Sequence, residues 1–189
     1  MIKPYNIFLY FFLYFSLLVL PKNGLALEYK SYGYIQPEFS YFIDGKGKHN
    51  QSQDKSSIFV QGTFISYIQE ETAKITLKAI GRYDDKDNNR TYFDLQKFKY
   101  EYFLDNATLS IGNDIIFWGV NESFHVVDII NQSNIAENLA GTKKLGQPML
   151  ALSLYDEIGD VSIYVMPYFR ERIFPGNNGR PRYAAEIEK

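Results

Sequence analysis

The sequence predicts an all-β fold, an antiparallel transmembrane β-barrel of which about eight strands are seen after a cleaved signal peptide. Three observations predict it. Apolar and polar residues alternate in short runs, the links between the runs are alternately long and short, and aromatic residues gather near the ends of the runs. Most of the runs approach the 9 to 11 residues, roughly, that a tilted strand needs to cross a bilayer.

The first 26 residues read as a secretory signal. Lys3 provides a positive start, and residues 7–20 form an apolar run that only Ser16 interrupts. A transmembrane helix needs about 20 apolar residues, so this run is short for an uncleaved anchor, which is the alternative. Pro21 and then Gly24-Leu25-Ala26 resemble a signal-peptidase site, with cleavage after Ala26. The signal peptide is therefore 1–26 and the β-barrel domain 27–189.

Composition excludes several classes of protein. With no cysteine, the chain has no disulfide, zinc-thiolate site, thiol nucleophile or lipoprotein anchor. The net charge is −2, without basic clusters, so we expect no nucleic-acid partner. Only His49 and His125 carry imidazoles. We therefore expect no metal site and no cofactor.

The candidate strands and links follow in order along the chain. The strands are 29–43, 57–68, 74–83, 92–104, 108–118, 149–155, 161–169 and a start at Arg182. The links 44–56, 84–91, 119–148 and 170–181 are long or medium, whereas 69–73, 105–107 and 156–160 are short. Short turns at one end and long loops at the other are typical of outer-membrane barrels.

Side-chain alternation predicts one apolar and one charged face, because successive residues of a strand point to opposite sides. In the third strand Ile75, Leu77 and Ala79 oppose charged residues, and the fourth strand repeats the pattern. The predicted interior charges are Lys74, Lys78, Arg82, Lys97, Lys99 and Glu101.

A soluble β-sandwich would explain this alternation equally well. The barrel is favoured by aromatic residues near the strand ends, where barrels carry aromatic girdles. These residues are Tyr29, Tyr83, Tyr92, Tyr102, Phe103, Phe117, Trp118, Tyr155, Tyr168 and Phe169.

The last run, 182–189, lacks an apolar face long enough to close a barrel. Because open sheet edges are not tolerated in lipid, we expect the chain to be a piece of a larger barrel, with closure by a poor last strand as the alternative.

One stretch resembles porin-like outer-membrane proteins of unknown substrate, relatives of the alginate-export type. The resemblance covers about 90–182 and depends on Gly112, Trp118, Gly119, Asp128, Ile130, Asn131 and Gly146-Gln147-Pro148. Asn113-Asp114 departs from the Arg-Gln pair usual in that family. The resemblance implies a bacterial outer-membrane location.

Within the long link 119–148, the stretch 124–140 has more Val and Ile than an exposed loop should carry. We expect it to fold into the lumen and narrow it, with Glu122, His125, Asp128 and Asn131 as constriction candidates. The alternative is an external loop that packs on itself.

Catalysis is not expected. Ser123, His125 and Asp128 lie within six residues, whereas known triads spread across the fold. The pair Asp84 and Asp85 could bind calcium with loop carbonyls, but a solvated loop is the simpler interpretation.

These patterns predict a porin-like channel for passive diffusion of small solutes, with weak anion preference from its basic excess. The expected partners are outer-membrane lipid and small solutes, and a homo-oligomer is an open option. The alternative is a secreted soluble protein or a small closed β-barrel with a binding or structural role and no pore.

Overall fold

Seven antiparallel strands, each paired with the next along the chain, form one sheet in the order β1 to β7. The strands are β1 (Glu28–Tyr41), β2 (Asp54–Ile68), β3 (Ala73–Asp84), β4 (Tyr92–Leu104), β5 (Ala107–Asp114), β6 (Gln147–Asp156) and β7 (Gly159–Val165). The structure, a computed structural model, describes residues 28–45, 47, 51–68, 71–117 and 129–182. The all-β prediction is confirmed.

Two details differ from the prediction. The sheet is not closed: β1 and β7 each have one neighbour, so both are edge strands. Seven strands are described instead of about eight, and the run after Arg182 falls outside the described residues, as does the predicted signal peptide. Within the described ranges, no helix is long and apolar enough to cross a membrane.

The links confirm the predicted long and short alternation. Residues 69–72, 105–106 and 157–158 join strands at one end of the sheet. Residues 42–53, 85–91 and 115–146 join them at the other, and 85–91 contains a 3-10 turn at Asn88–Arg90. One end of the sheet therefore has short turns, and the other end has the bulk of the loops.

The first strand ends at Tyr41, two residues earlier than the sequence pattern predicted, and two further strands end four residues earlier. The fifth was expected to reach residue 118 but ends at Asp114, where the Asn131 side chain accepts the N–H of Ile116 in place of a neighbouring strand. The seventh was expected to reach residue 169 but ends at Val165, opposite Leu150. Continued pairing would place Pro148 opposite Pro167, and neither has an N–H to donate.

The strand register produces two faces of opposite character. Lys74 pairs with Glu101, and Lys78 pairs with Lys97, so these side chains share one face, called here the charged face. The neighbouring residues Ile75, Leu77 and Phe98 share the other, called the apolar face. The predicted alternation is thus present in three dimensions.

The apolar face is the exposed one. Ile35 is 71% exposed, Phe93 67% and Ile111 58%. Polar groups on the charged face are buried instead: Arg82 is 7% exposed and Asp114 is 5%. Leu145, Ile135 and Ala136, which are also buried, come from a loop that covers the charged face.

Candidate functional site

Two segments lie over the charged face. Residues 129–146, called here the inner loop, belong to the link between β5 and β6, and residues 170–182, the strap, follow β7. The N–H of Ile135 donates to the carbonyl of Ile173 at 2.8 Å, which joins the two segments. The Gln96 amide donates to the carbonyl of Lys144 at 3.3 Å, which holds the inner loop to β4.

Arg82 of β3 is the centre of an ion-pair cluster. Its guanidinium binds both carboxylate oxygens of Glu38 on β1, at 2.7 and 3.0 Å, and donates to the Ser57 hydroxyl at 2.9 Å. Its Nε lies 2.5 Å from Oε1 of Glu137 in the inner loop. Arg90 adds a second cation, which reaches Glu38 at 3.1 Å and Asp84 at 2.8 Å.

A second network follows β4 towards the short-turn end. Asp114 of β5 receives Lys97 at 2.9 Å and Lys99 at 2.7 Å. Lys99 also pairs with Glu101 at 2.8 Å, and Glu101 with Lys74 at 3.1 Å. Alternating charges therefore form a continuous ladder across three adjacent strands.

The structure places all six predicted interior residues on the charged face. Five of them form ion pairs: Lys74, Arg82, Lys97, Lys99 and Glu101. Lys78 differs, because its pairing neighbours across the strands are Thr63 and Lys97. No ion pair forms between Lys78 and an acidic side chain among the described residues.

Of the constriction candidates, Glu122, His125 and Asp128 lie outside the described residues. Asn131 is buried, and its amide accepts from the N–H of Ile116 and donates to the carbonyls of Asp114 and Leu145, each at 2.9 Å. Asn131 therefore holds the two ends of the inner loop together and has no free amide group for solutes.

The strap is fixed by side chains from the long-loop end. Asp87 accepts from the N–H of Gly176 at 3.1 and 3.2 Å. Lys55 donates to the carbonyl of Arg180 at 2.8 Å, and the Arg180 guanidinium lies 4.1 Å from the centre of the Phe42 ring. Arg170 pairs with Asp94 of β4 at 2.7 Å. The strap thus bridges β4 and the β1–β2 loop.

Sequence reasoning missed Glu38, Arg90, Asp94 and Glu137. Strict alternation along β4 would place Asp94 on the face opposite to Lys97 and Lys99, because even and odd positions of a strand point to opposite sides. They share the charged face because Gln96 is an extra residue, at a bulge opposite Lys78 and Ala79, which shifts the alternation by one residue. Glu137 lies in a loop, where alternation gives no information. Glu38 alone had a usable signal, since it alternates with apolar Phe39 on β1.

A cavity of about 930 Å³ lies between the charged face and the inner loop. Tyr34 and Phe59 form part of its wall, with ring centres 5.7 Å apart. Tyr92 and Phe117, which the sequence placed among the girdle residues, line this cavity as well. Trp118 lies outside the described residues.

The two acidic residues at the end of β3, Asp84 and Asp85, have different partners. Asp84 binds Arg90, whereas Asp85 accepts from the Ser56 N–H at 2.9 Å and pairs with Lys86 at 3.1 Å. Burial raises the pKa of Asp85, but the Ser56 N–H and the Lys86 ammonium lower it by more, so this pKa lies below its ordinary value. Among the described residues, no group of three or more His, Cys, Asp and Glu has the arrangement of a metal site.

Two glycines, Gly112 and Gly146, pack against the backbone of β4. A Cβ at Gly112 would overlap the carbonyl oxygen of Phe98, and one at Gly146 would overlap that of Gln96. Comparison of the chain with protein-family models, with curated proteins and with solved structures finds no match.

Proposed function

We propose that the seven strands form part of the wall of a porin-like channel in a bacterial outer membrane, which conducts small solutes passively. In this proposal the apolar face contacts lipid, the charged face lines a water-filled lumen, and the inner loop narrows it. The resemblance to porin-like proteins of the alginate-export type belongs to this proposal.

The observation that carries the proposal is the inverted burial of the two faces. Soluble monomers rarely expose an apolar patch larger than a few hundred Å². Here exposed Ile, Leu, Val, Phe and Tyr side chains continue across the strands, from Ile35 on β1 to Ile163 on β7. Ion pairs occupy the opposite, covered face. This arrangement suits lipid outside and water inside.

The two ends of the sheet also agree with a barrel wall. In outer-membrane barrels the short turns are periplasmic and the longer loops are external. The proposal therefore places 69–72, 105–106 and 157–158 in the periplasm and the strap at the external end.

A channel requires further strands to pair with the free edges of β1 and β7. Each unpaired backbone group in the hydrocarbon region costs several kcal/mol, so an open sheet is not stable there. Under this proposal, residues 27–189 are a part of a larger barrel.

A second candidate is a β-protein without a pore. The buried side chains of Leu145, Ile135 and Ala136 favour it, because they place apolar packing on the side where a channel needs water. The cavity beside them favours a channel with a partial constriction.

Bilayer recording and membrane fractionation separate the two candidates. We expect the full chain to sediment with outer membranes, to need detergent for extraction and to give discrete conductance steps in a planar bilayer. Extraction without detergent would contradict a membrane location. Membrane location without conductance would favour the protein that has no pore.

A further inference from the structure

Basic side chains outnumber acidic ones around the cavity. Three acidic residues line it, Glu38, Asp94 and Glu137, against five basic residues, Lys78, Arg82, Arg90, Lys143 and Lys144. The acidic residues already have partners: Glu38 and Glu137 bind the arginines, and Asp94 binds Arg170 from the strap. Lys78 and Lys143 are therefore not balanced by these three acidic residues, and both add positive charge to the cavity.

Lys78 is the centre of this excess. It lies directly across from Lys97, an arrangement of like charges that destabilises a sheet. Asp114 balances Lys97 but does not reach Lys78. Lys143 of the inner loop adds a further repulsive charge to Lys78. Neither Lys78 nor Lys143 forms an ion pair with an acidic side chain among the described residues.

We propose that Lys78 and Lys143 together bind the oxyanion group of a small organic solute, a carboxylate or a phosphate, inside this cavity. The inference rests on the proposed function, since it names the class of solute that the lumen would favour. An anion between the two ammonium groups would remove their mutual repulsion, and charge-assisted hydrogen bonds to oxyanions are about twice as strong as neutral ones.

The rest of the cavity lining fits the organic part of such a solute. Ligand pockets measure roughly 300 to 1,000 Å³ and combine apolar surface with a few polar groups. This cavity has about 930 Å³, more than a bare oxyanion fills. The rings of Tyr34 and Phe59, tilted by 38° to each other, provide aromatic surface, and Gln61 and Asn134 add amide groups to the lining.

Calorimetric titration of the full chain in detergent micelles tests the site, with benzoate and inorganic phosphate as probes and neutral benzyl alcohol as the comparison. We expect both anions to bind and benzyl alcohol to bind more weakly. Lys78→Gln and Lys143→Gln should each weaken benzoate binding about tenfold, the loss of one charged hydrogen bond. Lys78→Arg, which keeps the charge, should weaken it less.

The matched control is Lys86→Gln, which removes the same charge from a partly exposed side chain that is paired with Asp85 outside the cavity. This variant should bind benzoate as the parent does. Equal benzoate affinity in Lys78→Gln, Lys143→Gln and parent would overturn the site, as would equal binding of benzoate and benzyl alcohol by the parent.

Titration in micelles does not depend on conductance, so the two proposals can fail separately. If Lys78→Gln abolishes benzoate binding but the protein gives no conductance steps, the anion site is supported and the channel is contradicted. If the protein conducts but does not bind benzoate or phosphate, the channel is supported and the anion site is contradicted.

Discussion

The Nε of Arg82 lies 2.5 Å from Oε1 of Glu137, and the two side chains are 5% and 7% exposed. Arg82 belongs to β3 and also binds Glu38 of β1, whereas Glu137 belongs to the inner loop. Through two ion pairs, Arg82 therefore links the inner loop to two strands of the sheet. We expect the position of the loop over the charged face to depend on this ion pair with Glu137.

Glu137→Gln should release the inner loop. Removing the charge from one partner of a buried ion pair leaves the other charge without that partner, so we expect a cost of at least about 1.4 kcal/mol, which is a tenfold larger population of the displaced loop. Lys143 lies in the same loop and is exposed, so trypsin cleavage after it measures the displaced state. We expect faster cleavage in the variant and, under the channel proposal, a larger single-channel conductance in a bilayer.

Glu157→Gln is the control for this prediction, because Glu157 lies exposed in the short β6–β7 turn. It should leave both cleavage and conductance unchanged. If Glu137→Gln is cleaved no faster than Glu157→Gln, the ion pair with Arg82 does not hold the loop.

Ile111→Arg tests which face contacts lipid. Ile111 lies on the apolar face in the middle of β5, between Tyr100 and Leu150. An arginine facing the middle of a bilayer lowers the free energy of unfolding by about 2–4 kcal/mol. The measurement is urea unfolding of the full chain in lipid vesicles.

Ser110→Arg is the matched comparison, since Ser110 is the neighbouring residue on the charged face and pairs with Glu101. We expect it to cost much less than Ile111→Arg. A soluble protein would show a small cost for Ile111→Arg as well, because Ile111, which is 58% exposed, would accept a charge in water.

Alternation alone was enough to predict the sheet and the faces of Lys74, Lys78, Lys97 and Lys99, because a strand has a strict period of two. It could not predict that Asp94 lies on the charged face, since the extra residue Gln96 shifts the alternation within β4. Nor could it predict Glu137, because a loop residue reaches Arg82 only through tertiary contacts. The closed barrel was inferred from typical outer-membrane proteins, and no described strand pair closes this sheet.

Gly112→Ala should destabilise the β4–β5 pair. Gly112 has a φ of 129°, which side-chain-bearing residues rarely adopt, and an added methyl group would overlap the backbone of Phe98. Backbone strain of this kind costs about 1–3 kcal/mol. A lower urea midpoint in detergent is the expected result.

Gly62→Ala is its control, because Gly62 lies in β2 with open space around an added Cβ. The free energy of unfolding of this variant should equal that of the parent or exceed it by up to about 1 kcal/mol, because alanine has fewer conformations than glycine in the unfolded chain. Equal losses in both variants would show that Gly112 has no special backbone role.

Asn131→Ala should loosen the junction between β5, the inner loop and β6. The amide of Asn131 makes three hydrogen bonds of 2.9 Å, to Ile116, Asp114 and Leu145, of which the last two are buried. Each backbone partner would lose its bond in the variant. One buried polar group left unpaired costs about 1–3 kcal/mol, so we expect at least that loss in urea unfolding. Asn88→Ala, at an exposed asparagine of the β3–β4 link, should change little. An unchanged midpoint in Asn131→Ala would mean that water replaces the amide, and that the junction is open to solvent. Because Leu145 is 2% exposed there, we expect the loss.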